Sequence, residues 1–228
     1  MKLVDFPAGR QLAVLDHRAR KHDFAAWEKC YLEVLVSHLR PGLVVFDVGA
    51  EEGEFTALAA SIAGASNVHI MEPAPWIWPN IKAVWDANLS GQPPGGCWPG
   101  FISDASTRLP SHFGWPVEAQ GPIRTESDFC SLGVQLNIPS ASIDDYARAR
   151  GVWPDIIMMD VEGAEPKVFR GAAEAISRGC VVFAAIHEPH ALASHGGSLE
   201  GIQTLMGQHG YRGELLGIDH EQHWIWCR

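Results

Sequence analysis

The chain reads as an α/β protein built on a mainly parallel sheet with helices on both faces and one reversed strand near its C-terminus. Three observations predict this. Short apolar runs that end in an acid or at a turn, Leu43–Val48, Asn67–Pro73 and Trp153–Asp160, alternate with longer stretches of helical spacing. The apolar runs lack polar alternation, as strands covered on both faces do. Finally, Tyr211–Ile218 and Gln222–Cys227 are two extended runs joined by Asp219-His220-Glu221, which pair naturally as an antiparallel hairpin.

In chain order, Gln11–Asp16 is a short extended segment. Asp23 can cap a helix reaching Leu39, with Trp27, Tyr31, Leu32, Leu35 and Leu39 at helical spacing, before Pro41-Gly42 stops it. Residues 1–40 thus read as a helical extension that covers a sheet face, lids the ligand or meets another copy in a homo-oligomer. After the first buried strand, Phe55, Leu58, Ala59 and Ile62 line a helix that Gly64 ends. The strand Asn67–Pro73 follows, then a helix Trp76–Leu89 and a strand Cys97–Ser103 that ends at Asp104. Residues 106–139 show little period and read as an insertion near an acceptor site, with Phe113, Trp115, Phe129 and Leu132 wanting burial and Trp115 the pocket candidate. Order returns with a helix capped at Ser142 or Asp144, the strand to Asp160, a helix Glu165–Arg178, the strand Cys180–Ile186 and a helix Leu199–His209.

With 228 residues the chain is long enough for one well-buried domain and short for two. Its 17 Lys and Arg against 27 Asp and Glu, a formal charge of −10, oppose adhesion to nucleic acid or an anionic membrane. No apolar run approaches the roughly 18 residues of a membrane span, and the N-terminus lacks a secretory pattern. Five scattered cysteines without Cys-x-x-Cys fit reduced thiols in a cytoplasmic protein.

The segment Asp47-Val48-Gly49-Ala50-Glu51-Glu52-Gly53-Glu54-Phe55 reads as strand end, glycine-bounded loop and helix start. In an open α/β sheet the ligand crevice lies at the carboxyl ends of the strands. Glu51, Glu52 and Glu54 would repel the phosphate that such a loop otherwise holds, so a nucleoside carrying a sulfonium and an ammonium, as S-adenosylmethionine does, suits it better. Glu72, 25 residues after Asp47, stands where an acid accepts from ribose hydroxyls, or is simply an acid at a strand end. Asp104 and the Ala105 amide are candidates for adenine.

Ser142-Ile143-Asp144-Asp145-Tyr146 followed by Asp160-Val161-Glu162-Gly163-Ala164-Glu165, taken with Asp47-Val48-Gly49-Ala50 and Met71-Glu72-Pro73, resembles the FkbM family of S-adenosylmethionine-dependent methyltransferases. The resemblance covers about Val44 to Ile186 and departs at two positions: family members usually carry Asn where Glu51 stands and Lys where Met158 stands. It implies a Rossmann-like class I methyltransferase with a seven-stranded sheet. It also implies methyl transfer to a nucleophile, most often a hydroxyl on a sugar or natural-product scaffold. The expected cofactor contacts are Asp47, Gly49, Ala50, Glu51, Gly53, Phe55, Glu72, Pro73, Asp104, Ala105 and Asp160.

A hydroxyl acceptor needs a base, and Asp160, Glu162 and His187 stand at the ends of neighbouring strands. His187 is preferred as the base because its ordinary pKa suits neutral pH; its alternative is a satisfied strand-end histidine. Asp160 would orient the acceptor or the methionine ammonium, and Glu162 would otherwise cap the next helix. Carboxylate-rich sites suit Mg²⁺, which would lower a hydroxyl's pKa, but no metal ligands are assigned: His187-Glu188-Pro189-His190 lacks zinc-hydrolase spacing and its proline disfavours a helix. Competing functions are an N- or C-methyltransferase, a non-catalytic cofactor-binding scaffold and, third, a nicotinamide oxidoreductase.

Overall fold

The computed structural model describes residues 1–109, 111–125, 128 and 137–228. Phe129 and Leu132, and with them part of the expected insertion, lie outside the described residues. The chain opens on an antiparallel hairpin, β1 (Lys2–Phe6) and β2 (Arg10–Val14), and then forms the short helix α1 (Asp16–Lys21) and α2 (Lys29–His38). The first forty residues are therefore part sheet. The helix expected from Asp23 begins six residues later because Glu28 adopts a left-handed backbone (φ 49°), and residues 23–27 close as turns on the Asp23 carbonyl.

The central unit alternates β3 (Val45–Val48), α3 (Glu54–Ala63), β4 (Val68–Met71), α4 (Trp78–Leu89) and β5 (Gly96–Trp98). Two short strands, β6 (Phe101–Ile102) and β7 (Ser140–Ala141), pair with each other and close the base of the insertion. Then come α5 (Ile143–Arg150), β8 (Ile156–Met159), α6 (Glu165–Arg170), α7 (Ala173–Arg178), β9 (Val181–Ile186), α8 (Pro189–Ser194), α9 (Leu199–Gln208), β10 (Arg212–Ile218) and β11 (Gln222–Cys227).

Seven strands form one sheet in the order β10-β11-β9-β8-β3-β4-β5. The five from β9 to β5 are parallel, and β11 runs against both β9 and β10. Successive residues of each central strand face opposite cores. Val45, Val68, Ile70 and Ile156 pack with Leu32, Leu35, Leu58 and Ile81, whereas Phe46, Val48, Met71 and Ile157 pack with Tyr146, Val168, Phe169 and Ile176.

Two helices differ from expectation for local reasons. The single helix expected over Glu165–Arg178 breaks at Gly171, where a Cβ would lie 2.1 Å from the Ser103 carbonyl oxygen and where the Asp144 N–H donates to the Gly171 carbonyl. The Asp144 carboxylate then accepts from the N–H groups of Glu174 and Ala175, giving α7 its own N-terminal cap. In α8, Pro189 initiates the helix instead of preventing it, because its missing N–H falls in the first turn, where no intrahelical partner exists. No described helix is long and apolar enough to cross a membrane, and the described cysteines Cys30, Cys97, Cys180 and Cys227 are unpaired.

Candidate active site

Strand register builds the site. Val48 pairs with Met71 on one side and Met159 on the other, so the residues that follow, Gly49, Glu72 and Asp160, emerge side by side at the carboxyl edge of the sheet. A cavity of about 630 Å³ opens there. It is lined by the Gly49–Glu52 loop, by Glu54 and Phe55 of α3, by the β4 end with Ala74, Trp76 and Ile77, by Asp160 and Glu162, by Trp27, Glu28 and Tyr31 of the N-terminal segment, and by the β10–β11 turn.

Gly49 has φ 85°, and a Cβ on it would lie 1.8 Å from the Asp160 carbonyl oxygen, so only glycine lets β3 and β8 turn away together. Asp47 is buried, and Thr56 of α3 donates its hydroxyl to it, tying strand to helix; burial still pushes the Asp47 carboxyl up to about 6. Glu51 is held left-handed (φ 47°), a conformation that asparagine tolerates better than glutamate, which is a physical reason for asparagine at this position.

The acidic loop is not bare. Arg18 from α1, only 2% exposed, donates two hydrogen bonds to the Glu51 carboxylate (2.8 and 2.6 Å) and one to Glu54 (2.9 Å). His17 lies 2.8 Å from Glu52, which also accepts from Asn80 of α4. Burial pushes Glu54 up to about 7 against the pull of Arg18. Glu72 accepts from the N–H groups of Glu51 and Ala74, which preorganise its carboxylate at the cavity wall. Burial nonetheless raises it to about 7.

His187 sits behind this wall. Glu165, fully buried, accepts from His187 Nδ1 at 2.8 Å and from the Gly163 N–H at 3.1 Å, so the Glu-Gly-Ala-Glu turn grips the imidazole. His187 Nε2 faces Glu162, Glu221 and Asp160 at 3.2, 3.3 and 3.7 Å without forming a hydrogen bond to any of them. Burial opposes its charge, but the Glu165 hydrogen bond and the surrounding carboxylates outweigh it and raise His187 to about 9. This corrects the expectation of a neutral base: at neutral pH the imidazole already holds its proton, and it is not part of the cavity lining.

Asp160 is different. Its side chain is half open to the cavity although protein surrounds most of it, and this burial together with the negative charge of Glu221 raises it well above the ordinary carboxylate range, with His187 pulling the other way. Glu162, left-handed at φ 53°, has a side chain that is 90% exposed at the rim.

Asp104 and Ala105 are not at the cavity. The strand expected to run to Ser103 stops at Trp98, and the chain turns aside to pair β6 with β7; Asp104 instead forms an exposed ion pair with Arg170 (2.9 Å), and the Ala105 carbonyl accepts from Ser140. Pro73 lines a smaller cavity of about 380 Å³ next to the insertion, and Gly53 caps α3. Part of the described insertion packs on α4: Arg124 exchanges two hydrogen bonds with Asn80, and Trp115 stands edge-on to Trp78 and Trp85. None of them lines the main cavity, so Trp115 is a packing residue there.

Asp160, Glu162 and His187 bring ligand-capable atoms within 4.8 Å of one another, but the imidazolium already provides positive charge among the same oxygens, and Mg²⁺ prefers an all-oxygen shell. These residues do not fit an Mg²⁺ site. Glu188 and His190 form an exposed surface pair.

The sequence reading missed Arg18, Glu28, Glu221 and His223. The usable signals are the basic run His17-Arg18-Ala19-Arg20-Lys21, complementary to the acidic loop, and the density of titratable residues in the joining turn Asp219-His220-Glu221 with His223 just inside the following extended run. Among the described residues the cavity lining carries nine carboxylates against Arg18 and Lys21, a balance that favours a cationic ligand.

A family model described as the methyltransferase FkbM domain matches residues 47–212. The fold is similar to methyltransferase FkbM from Methylobacillus flagellatus KT, with a TM-score of 0.57 and 18% identity over 87% of this chain and 46% of that one. Precorrin-6y C5,15-methyltransferase from Geobacter metallireducens GS-15 aligns at TM-score 0.49 and 12% identity, over 95% of this chain and 94% of that one. M. jannaschii TYW2 in complex with AdoMet aligns at 0.48 and 12%, over 99% and 83%. No curated protein matches by sequence. This chain spans less than half the length of the M. flagellatus protein. With the family match covering well over half of its residues and the sheet order and acid-rich crevice in place, the chain belongs to the FkbM methyltransferase family.

Proposed function

We propose that the chain transfers the methyl group of S-adenosylmethionine to a hydroxyl of a small molecule. The observation that carries this reading is the alignment of Glu72, Gly49 and Asp160 along one cavity edge. Glu72, fixed by two backbone N–H groups, accepts from the ribose hydroxyls, and Ala74, Trp76 and Ile77 give the base an apolar wall. The cofactor, when bound, supplies an electrophilic methyl on a sulfonium. The protein aligns the acceptor with it and excludes water.

Asp160 takes the role of base. Its raised proton affinity makes it a stronger acceptor for a hydroxyl proton than an ordinary carboxylate, and its side chain opens into the cavity where His187 does not. Once the cofactor's positive charge arrives, Asp160 is favoured in its ionised, proton-accepting form. His187 acts through it, as a fixed cation behind the carboxylates.

Calorimetry with S-adenosylhomocysteine and radiolabelled methyl transfer over a panel of hydroxylated small molecules test the reading. Asp160→Asn is expected to keep product binding and lose turnover by roughly 10²–10⁴-fold. Failure of folded protein to bind S-adenosylhomocysteine would overturn the cofactor assignment, and undiminished turnover in Asp160→Asn would overturn the base.

A further inference from the structure

The cavity continues past Asp160 towards a second group that methyl transfer does not use. His223 on β11 is 2% exposed and reaches the cavity wall. Its Nε2 bonds to Asp219 at 3.0 Å, while its Nδ1 is buried and has no hydrogen-bond partner. Across from Nδ1, at 3.9 Å, stands Glu28 Oε2, whose side chain is 8% exposed.

The pairing is incomplete in a specific way. Asp219 is held below its ordinary range: burial pushes it up, but the Glu221 N–H and His223 outweigh that, so its carboxylate stays ionised beside Nε2. With the imidazole proton on Nε2, where it bonds to Asp219, Nδ1 presents a lone pair towards Glu28. The two groups stand too far apart to bond directly, and the Glu28 carboxyl, which holds its proton while no cation is near, gives it up when one enters between them. A nitrogen carrying several N–H groups that enters between them would bond to both at the usual distances of roughly 2.7–3.2 Å. Burial and the charges of Asp160, Asp219, Glu221 and Glu51 push Glu28 up to about 9, as expected for a carboxylate short of a nearby cation. Trp27 and Tyr31 line the same end of the cavity, Tyr31 with its ring 5.2 Å from that of His223, and offer apolar surface to a carbon skeleton.

Glu28, Asp219 and His223 also bring ligand-capable atoms within 4.8 Å of one another. A metal ion at Nδ1 would have only Glu28 as a second protein ligand there, because Asp219 is bonded to Nε2, and two ligands are fewer than a protein metal site usually supplies.

We propose that the acceptor carries a protonated amine that seats between Glu28 and His223 Nδ1, anchoring the molecule while a separate hydroxyl faces Asp160. The inference rests on the cofactor reading above and names the class of its acceptor: an amino alcohol or amino sugar.

The test uses glucosamine, glucose and N-acetylglucosamine as probes, titrated by calorimetry into protein saturated with S-adenosylhomocysteine. Glucosamine should bind about tenfold or more tightly than the two neutral sugars, the scale of one charge-assisted hydrogen bond. Glu28→Gln should erase that preference, and a folded Glu28→Gln protein that still prefers glucosamine would overturn the proposal. Equal binding of the three sugars by wild-type protein would overturn the proposal without needing a variant. Competition between glucosamine and S-adenosylhomocysteine would assign the seat to the cofactor's own ammonium and overturn it too. Mg²⁺ binding that Glu28→Gln abolishes would overturn it in favour of a metal. If S-adenosylhomocysteine itself fails to bind, the cofactor reading falls first and this one with it.

Discussion

Glu165 Oε1 lies 2.8 Å from His187 Nδ1 while the Gly163 N–H donates to the same oxygen, so one buried carboxylate sets both the turn after β8 and the charge of the imidazole at the end of β9. His187 is raised from 6.5 to about 9. Folded protein therefore binds its proton more tightly than unfolded chain, and this stabilisation is complete below pH 6.5 and lost as pH rises through about 9. NMR titration of the imidazole should find a midpoint near 9 that falls in Glu165→Gln. The urea midpoint of the wild type should drop over the same interval more than that of the variant.

Glu72 predicts a pH-dependent cofactor affinity. Its carboxyl is raised from 4.5 to about 7, chiefly by burial, so a hydroxyl-accepting, ionised form becomes dominant only above about 7. S-adenosylhomocysteine should bind more tightly at pH 8 than at pH 6, and Glu72→Gln should flatten that difference and weaken binding by roughly 1.5–3 kcal/mol. The stability contribution has the opposite slope: between 4.5 and about 7 the folded form holds the proton that the unfolded chain releases, so stability falls as pH rises.

Arg18 predicts a stability defect outside the family-matched segment. Replacing it with Ala strands Glu51 and the buried Glu54, and removing one partner of a buried ion pair costs about 3–5 kcal/mol. Arg18→Lys should recover only part of this, because an ammonium cannot reproduce the two-pronged bond to Glu51. Urea unfolding of the three proteins measures both effects.

Gly49→Ala predicts loss of the site itself. The new Cβ would meet the Asp160 carbonyl at 1.8 Å in a left-handed backbone, so β3 and β8 must separate. Strain of this kind costs about 1–3 kcal/mol. S-adenosylhomocysteine binding should vanish in calorimetry even where circular dichroism shows retained secondary structure.

The parts of this molecule that could be read from the sequence are those fixed by local chemistry. Buried apolar runs ending at Val48, Met71 and Met159 located the strands, and their register then aligned Gly49, Glu72 and Asp160. What could not be read depends on long-range placement. Asp104 looked like a strand-end acid until the chain turned at Pro99-Gly100 to build β6. His187 reads as a base in the sequence because Glu165, the carboxylate that holds its imidazole, is 22 residues away and fully buried. Arg18 lies 33 residues from Glu51, and no local pattern couples them.

The cavity has a division of labour in chain position. Its floor, from Asp47 to Asp160, lies within the matched segment 47–212, whereas Arg18, Glu28, Glu221 and His223 reach it from before and after that segment. The methyl-donor half and the half that would select an acceptor thus come from different parts of the chain, tied together by Arg18 at Glu51 and Glu54. Exchanging residues 23–40 together with the β10–β11 turn between family members, with Arg18 kept to hold Glu51 and Glu54, is a route to new acceptors.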